Sequence, residues 1–433
     1  MMPEWNKIRK VHCIGIGGVG ISALARLLLS QGKELSGTED NESHETLDAL
    51  RAQGVTISLS LNPNDLPEAE CYIYSDAWLT KHEEILNKAR STGAPVLSYF
   101  EALGSLSKGY KVIAVAGAHG KTTTTAMLID VLEAGNLDPT AIVGSLRTKT
   151  KSNFRAGKGD YFVIEADEYR RHFLFLTPHI LLINNIDTDH LDYYKDLADI
   201  QNAFQTLARS VPEDGYIVCN TSDPLVQPVL EGCAAHIVDY KAYFDPNLPL
   251  HVLPLHRINA AGVLAIADIL HIDLSVAKEA LIQFTGTWRR FEYKGITRTG
   301  ARIYDDYGHH PKEITTTLRS IRTWLPHTRL IVVFQPHLYS RTKLLFDDFV
   351  HAFGDADEVL IAPIFAAREA PDPAVSHTAL AAQIRAAGVP ANAYASLAEI
   401  ADYLSTHTRK GDTVVTMGAG NVYTIAESLT ARS

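Results

Sequence analysis

Cysteine is scarce in this chain: four in 433 residues, at Cys13, Cys71, Cys219 and Cys233, with no Cys-x-x-Cys pair. That excludes a disulfide-built scaffold and a thiolate metal knuckle, and it fits a reducing compartment. Long apolar runs are also missing. None approaches the roughly 20 residues that cross a bilayer, and Met1 to Lys10 carries no apolar segment, so neither a membrane span nor a secretory leader is expected. The expected location is the cytoplasm. Positive charge is in the minority, 40 Lys and Arg against 50 Asp and Glu, and the net −10 argues against a nucleic-acid partner. No fixed-period repeat is present, which excludes a solenoid.

What is present is a recurring unit: a short apolar run, a glycine-rich turn, then an amphipathic stretch. That pattern predicts an α/β fold of parallel sheets with crossover helices. At roughly 100–200 residues per domain, the length calls for two or three cores. The first block, 1–104, has strands expected at Val11–Ile14, Leu35–Gly37, Val55–Ser58, Cys71–Tyr74 and Pro95–Leu97, with a helix over Ser22–Gln31. The second, 105–290, has strands at Tyr110–Ala116, Tyr161–Ile164, Ile180–Asn184 and Tyr216–Cys219. The third, 291–433, has strands at Ala301–Tyr304, Leu330–Phe334, Glu358–Ile361 and Thr413–Met417. The proline-rich run from Ala242 to Pro254 fits no element.

Two glycine loops join a strand to a helix. In Gly15-Ile16-Gly17-Gly18-Val19-Gly20 the glycines permit a tight turn and close backbone approach to a pyrophosphate at a helix N-terminus. Glu39 and Asp40 follow 19 and 20 residues after Gly20, where a ribose hydroxyl would be met. Alone, this loop predicts a dinucleotide. Gly117-Ala118-His119-Gly120-Lys121-Thr122-Thr123 is more specific, a tight variant of the phosphate-binding loop with Val115 where the general pattern has glycine. Its amides would cradle phosphates, Lys121 would neutralise them and Thr122 would ligate Mg²⁺.

Polar clusters close the ends of further strands, where open parallel sheets bind ligands. Glu165-Ala166-Asp167-Glu168 and Asn185-Ile186-Asp187-Thr188-Asp189-His190-Leu191-Asp192 place Glu165 and His190 beside the Lys121 loop as candidate metal ligands, although Mg²⁺ prefers oxygen. Arg289-Arg290-Phe291-Glu292 offers a guanidinium at a domain junction that could reach a triphosphate. Asp305-Asp306-Tyr307-Gly308-His309-His310-Pro311, Gln335-Pro336-His337-Leu338-Tyr339-Ser340-Arg341-Thr342 and Met417-Gly418-Ala419-Gly420-Asn421 put acid, phenol, imidazole, guanidinium and free amides at three strand ends of the last block, which points to a site.

Together these strings, in this order, resemble the Mur ligase family, and within it the branch that adds L-alanine to UDP-N-acetylmuramate. The resemblance implies three domains: a Rossmann-like domain for the UDP-sugar, a P-loop-type central ATPase domain, and a Rossmann-like C-terminal domain that holds the amino acid. It reassigns Gly15, Gly17, Gly18 and Gly20 to the UDP pyrophosphate, and adds Ser22, Glu39, Ser75 and Glu168 as contacts to that substrate. It implies ATP contacts at Gly117, His119, Gly120, Lys121, Thr122, Thr123, Asn185, Arg290 and Asp306, and Mg²⁺ at Thr122, Glu165 and His190. Lys121, His190, Tyr307, His309 and Arg341 would carry the chemistry, with Arg341 on the alanine carboxylate. ATP would convert the sugar's carboxylate to an acyl phosphate for attack by alanine, behind domains that close to exclude water.

Some positions depart from the family pattern. Ala118 replaces the usual Thr, His256-Arg257-Ile258-Asn259 only partly matches a His-Asn motif that contacts ATP, and Tyr169-Arg170-Arg171-His172 is atypical in charge. The segment between Tyr240 and Leu255 is short, so strands are expected to be lost there. The resemblance leaves a monomer or homodimer open. Rival readings are a sister ligase that adds a tripeptide in cell-wall recycling, a non-catalytic nucleotide-gated binding protein and, weakest, a dehydrogenase.

Overall fold

The apolar runs become three separate sheets. A computed structural model describes residues 3–42, 45–188, 190, 193–249, 256–367 and 369–430. The first sheet comprises β1 (Lys10–Ile14), β2 (Glu34–Thr38), β3 (Thr56–Ser58), β4 (Cys71–Tyr74) and β5 (Val96–Ser98), all parallel in the order β3-β2-β1-β4-β5. The second comprises β6 (Lys111–Ala116), β7 (Thr140–Arg147), β8 (Ser152–Arg155), β9 (Tyr161–Glu165), β10 (Ile180–Ile183), β11 (Tyr216–Cys219) and β12 (His236–Asp239), in the order β12-β11-β10-β6-β9-β7-β8. The third comprises β13 (Glu292–Ile296), β14 (Arg302–Asp306), β15 (Leu330–Phe334), β16 (Glu358–Ile361), β17 (Ala391–Ala393) and β18 (Thr413–Met417), in the order β13-β14-β18-β15-β16-β17.

The central strands are buried throughout, because a parallel strand is covered on both faces. β15 and β18 show no exposed residue, and β6 only its first. The strands absent from the sequence reading lie mostly at sheet edges, where one side needs no apolar residue. β8 is Ser-Asn-Phe-Arg, β17 is Ala-Asn-Ala, the first half of β12 is exposed, and Tyr293 and Ile296 of β13 are more than half exposed. β7 is missed because Gly144 and Ser145 interrupt its apolar run. The expectation of wholly parallel sheets is corrected at two places: β7 with β8 and β13 with β14 are antiparallel.

The chain packs as two compact units. Residues up to 249 and from 256 to 284 form the first, which contains both the first and second sheets. One apolar core runs from Leu24, Leu28 and Leu103 to Phe162, Phe173 and Phe204. The helix Tyr99–Ser107, started by a capping box between Ser98 and Glu101, crosses the boundary expected at 104. Its Gly104 lies so close to the turn Tyr169–Phe175 between β9 and β10 that a Cβ there would sit 2.3 Å from the Phe175 carbonyl oxygen. The second unit, from Thr285, holds the third sheet. Among the described residues no strand lies between Asp239 and the helix His256–Ile269, and Pro254 and Leu255 fall outside them.

Candidate active site

In the first and second sheets the chain reverses its direction of strand addition at the central strand, β1 or β6, and a glycine loop leaves that strand's carboxyl end. This is the switch point where α/β sheets bind ligands. After β6, Gly117 (φ 134°) and Gly120 (φ 82°) take conformations that favour glycine, and the helix Lys121–Ala134 follows. A side chain at Gly120 would meet Asn259 and Asn184, its Cβ lying 2.9 Å from Asn259 Oδ1. Two asparagines at the end of β10 brace the loop. Asn185 accepts from the His119 amide (2.9 Å) and donates to the His119 carbonyl (3.0 Å), while Asn184 donates to that carbonyl (3.2 Å) and to Thr124 (3.0 Å). Thr123 is buried in the first turn.

Lys121 donates to the Gly117 carbonyl (2.6 Å) and pairs with Glu168 (2.8 Å). Burial pulls its pKa down, but the Glu168 carboxylate outweighs burial and the net shift is upward, so Lys121 stays a cation. Thr122 Oγ1 donates to Glu165 Oε1 (2.8 Å), and the other oxygen of Glu165 accepts from the Gly144 amide (2.7 Å). Thr122 Oγ1 and Glu165 Oε1 are both hard oxygen donors of the kind Mg²⁺ takes, and they lie side by side, hydrogen-bonded at 2.8 Å. Thr122 and Glu165 therefore fit such an ion. His190 lies nearer the lysine side: its Nε2 is 3.5 Å from Glu168 Oε1 and its ring tilts on Tyr169 at 4.8 Å. Asp189, Leu191 and Asp192 lie outside the described residues.

The Gly15 loop is held differently. Glu39, buried at the end of β2, accepts from the Gly17 amide (2.6 Å) and from Asp40 N (2.8 Å). Thr46 donates to the Gly17 carbonyl (2.5 Å). Gly15 has φ 77°, and a Cβ there would sit 2.4 Å from the Trp78 indole nitrogen and 3.1 Å from Ser75 Cβ. A Cβ at Gly20 would meet the Tyr99 ring at 2.8 Å, whereas one at Gly18 would be 3.9 Å from Ser75 Oγ. Ser75 thus lies against the loop. The Ser22 hydroxyl, by contrast, is buried and donates to the Val19 carbonyl (3.0 Å), beside Asn153 of β8. Asp40 pairs with Lys81 and His82, and these donors hold it down at about 2 against the burial that opposes them.

In the second unit the loops after β14, β15 and β18 leave neighbouring strands. Asp306 is buried, accepting from Phe291 N and Gly308 N (both 2.8 Å). Burial pushes its carboxyl up to about 6, although Arg290 pulls the other way. Arg290 and Arg289 stand over the Tyr307 ring, at 5.3 and 5.1 Å from its centre. Arg289 is the structural member of this pair, being buried and hydrogen-bonded to Asp305 (2.9 Å) and to the Gly418 and Gly420 carbonyls. Tyr307 packs edge-on to His309 (5.4 Å), and His309 edge-on to His337 (6.1 Å). Arg341 donates to His337 Nδ1 at 3.4 Å. Burial lowers the His309 pKa. The structure thus gathers Arg290, Asp306, Tyr307, His309 and Arg341 in one polar chain.

Sequence reasoning missed Gly144, Asn184, Trp78 and Tyr99, whose roles appear only through contacts distant in sequence. Asn259, weakly matched in sequence, lies beside Gly120, with a buried Nδ2 that makes no hydrogen bond among the described residues.

Comparison with known proteins supplies the remaining observation. The chain matches the Mur ligase family, catalytic domain, over residues 10–111, the Mur ligase middle domain over 115–244, and the Mur ligase, glutamate ligase domain, over 289–420. The UDP-N-acetylmuramate–L-alanine ligase of Clostridium perfringens is 38% identical, with 99% of this chain and 98% of that protein aligned. That of Clostridium acetobutylicum is also 38% identical, over 97% of each. The crystal structure of the UDP-N-acetylmuramate-alanine ligase of Thermotoga maritima has a TM-score of 0.81 at 26% identity, covering 98% of both chains. A murein peptide ligase of Psychrobacter arcticus shares the fold at 24% identity and a TM-score of 0.70. With three family models in order and full-length similarity at this identity, the chain belongs to the Mur ligase family.

Proposed function

We propose that the chain joins L-alanine to the lactyl carboxylate of UDP-N-acetylmuramate, driven by ATP, in peptidoglycan precursor synthesis. A carboxylate does not condense with an amine in water because oxide is a poor leaving group. A carboxylate oxygen attacks the γ-phosphorus of ATP, ADP leaves, and the acyl phosphate forms. The free amine of alanine adds to the acyl carbon, loses a proton, and inorganic phosphate departs.

The residues divide the work. The loop from Gly15 to Gly20, with Glu39 and Ser75, binds the UDP-sugar. The Gly117–Thr123 loop, with Asn185, binds the ATP phosphates, and Lys121 neutralises the charge on the transferred phosphoryl group. Thr122 and Glu165 would hold Mg²⁺, which neutralises phosphate charge when bound. Glu168 orients Lys121 and His190 on the side of the sugar's carboxylate. Arg290 and Asp306 are further ATP contacts. Arg341 takes the alanine carboxylate, with Tyr307 and His309 orienting the amine and accepting its proton. The fall in the His309 pKa keeps that imidazole neutral and able to accept. The protein works in the cytoplasm, as a monomer or a homodimer, and among its described residues no helix is long and apolar enough to cross a membrane.

The observation that carries this reading is the pair of contacts Lys121–Glu168 and Thr122–Glu165 on one glycine loop, in a chain 38% identical along its length to alanine-adding ligases. The tripeptide-adding and non-catalytic rivals are not favoured by those relatives. Phosphate release, screened over amino acids with UDP-N-acetylmuramate and ATP, is expected to require alanine and the sugar nucleotide together. Equal release with tripeptide, or release independent of either partner, would overturn it.

A further inference from the structure

His172 belongs to neither glycine loop, yet it touches a neighbour of each. Its Nε2 is 3.0 Å from Asp76 Oδ2, one residue beyond the Ser75 that lies against Gly15. Its Nδ1 is 3.4 Å from Asp167 Oδ2, between the Glu165 and Glu168 that hold Thr122 and Lys121. The ring is buried and stacked on Phe100, centres 3.6 Å apart and planes within 13°. Phe100 itself lies in the helix that joins the first two sheets.

The backbone is strained to bring the imidazole here. Arg170 and Arg171 both have left-handed φ, 51° and 61°, a region that residues with a Cβ adopt uncommonly. Arg171 N donates to the Glu168 carbonyl (2.9 Å) and Phe173 N to the Asp167 carbonyl (2.8 Å), so the chain folds back on the end of β9. The Arg171 side chain is fixed by Asp199 at 2.6 Å. With both ring nitrogens facing carboxylates, an imidazolium satisfies both, whereas a neutral ring donates to one. Burial alone would lower the pKa, but the hydrogen bonds to Asp167 and Asp76 outweigh it and raise it. The second oxygen of Asp76 is buried without a hydrogen bond among the described residues, so His172 is that carboxylate's anchor.

We propose that His172 is a positioning residue that couples the two ligand loops. The Asp76–His172–Asp167 bridge fixes the Ser75–Asp76 turn relative to the Glu165–Glu168 strand end, so a sugar nucleotide at one loop favours ATP at the other. The inference rests on the loop assignments of the proposed function. Coupling of this kind is reciprocal and shows as one factor in both affinities.

The test is calorimetric titration of the full chain with UDP-N-acetylmuramate, with and without saturating AMP-PNP and MgCl₂, in wild type, His172→Phe and Asp76→Ala. Wild type is expected to bind the sugar nucleotide at least about fivefold tighter with the ATP analogue present, the lower end of such couplings. Both variants are expected to fall below about twofold while binding each ligand alone within about threefold of wild type. A merely structural role would weaken both single affinities and leave their ratio intact. Variants that keep the wild-type factor would overturn the inference, as would a wild type that binds both ligands with no factor between them. A wild type that does not bind UDP-N-acetylmuramate at all would overturn the loop assignment instead, and the bridge's role with it. Should His172→Phe fail to fold, Asp76→Ala decides alone, since it leaves the ring, Phe100 and Asp167 in place.

Discussion

The two glycine loops of the first unit share an architecture and differ in charge. Each leaves a central strand that runs parallel to both its neighbours and leads into a helix. In the Gly15 loop the partner is acidic: Glu39 takes the Gly17 amide, and no lysine or arginine occurs between Gly15 and Gly20. In the Gly117 loop the ionised partner is a cation, Lys121, and the amide of His119 is held by neutral Asn185. A pyrophosphate that is only gripped needs amides and a helix end. A phosphoryl group that is transferred needs a fixed positive charge beside it where charge develops on its oxygens. On the proposed assignments, one side chain, Lys121, specialises the same turn.

The sharpest way to break that distinction is Lys121→Ala. Turnover, followed as phosphate release, is expected to fall by at least about 10²- to 10³-fold with the circular dichroism unchanged. Near-normal turnover would mean that the cation does not separate the loops. Gly15→Ala attacks the other loop. It imposes a left-handed conformation on a residue with a Cβ and drives that atom into Trp78, so a loss of about 2–4 kcal/mol is expected in urea unfolding. The KM for UDP-N-acetylmuramate should rise while that for ATP stays put. Equal movement of both would show that the two loops cannot be told apart functionally.

A third strand-end loop extends the comparison, because there burial rather than a partner sets the charge. The Asp306 carboxyl is raised to about 6, so the fold favours its neutral form. Its contribution to stability is complete below the ordinary carboxyl value near 4 and is lost as pH rises through about 6, a change of at most roughly 3 kcal/mol. Asp306→Asn should remove that downward slope from the unfolding midpoint between about pH 4 and 7. Parallel curves for variant and wild type would refute it. The smallest effect is expected from Thr46→Val, which deletes one hydrogen bond to the Gly17 carbonyl. About 1 kcal/mol of stability and a few-fold in KM for the sugar nucleotide should go, with ATP kinetics unmoved.

Much of this was legible in the sequence, for a physical reason. Strands buried on both faces must be continuous apolar runs, so β6, β10, β15 and β18 stand out, and their polar termini mark the ligand edge. Edge strands carry no such requirement, and β8, β12, β13 and β17 were missed, although β3 and β5 were read. Lys121, Thr122 and Glu165 were readable as a set because their chemistry is written locally. What orients them is not: Gly144 holds Glu165 from across 21 residues, and His172 ties Asp167 to Asp76. Ser22 is marked as a contact by the family pattern alone, and its hydroxyl donates to the Val19 carbonyl.

The helix Tyr99–Ser107 has a consequence for engineering. Because Gly104 rests on the Phe175 backbone, and Leu103 and Leu106 belong to a core common to both sheets, the first hundred residues are not an interchangeable cassette. On the proposed assignments, a different nucleotide-sugar module grafted here would have to reproduce the close approach at Gly104. Specificity for a new sugar is better sought by altering the turns after β1, β2 and β4 than by exchanging the sheet that carries them.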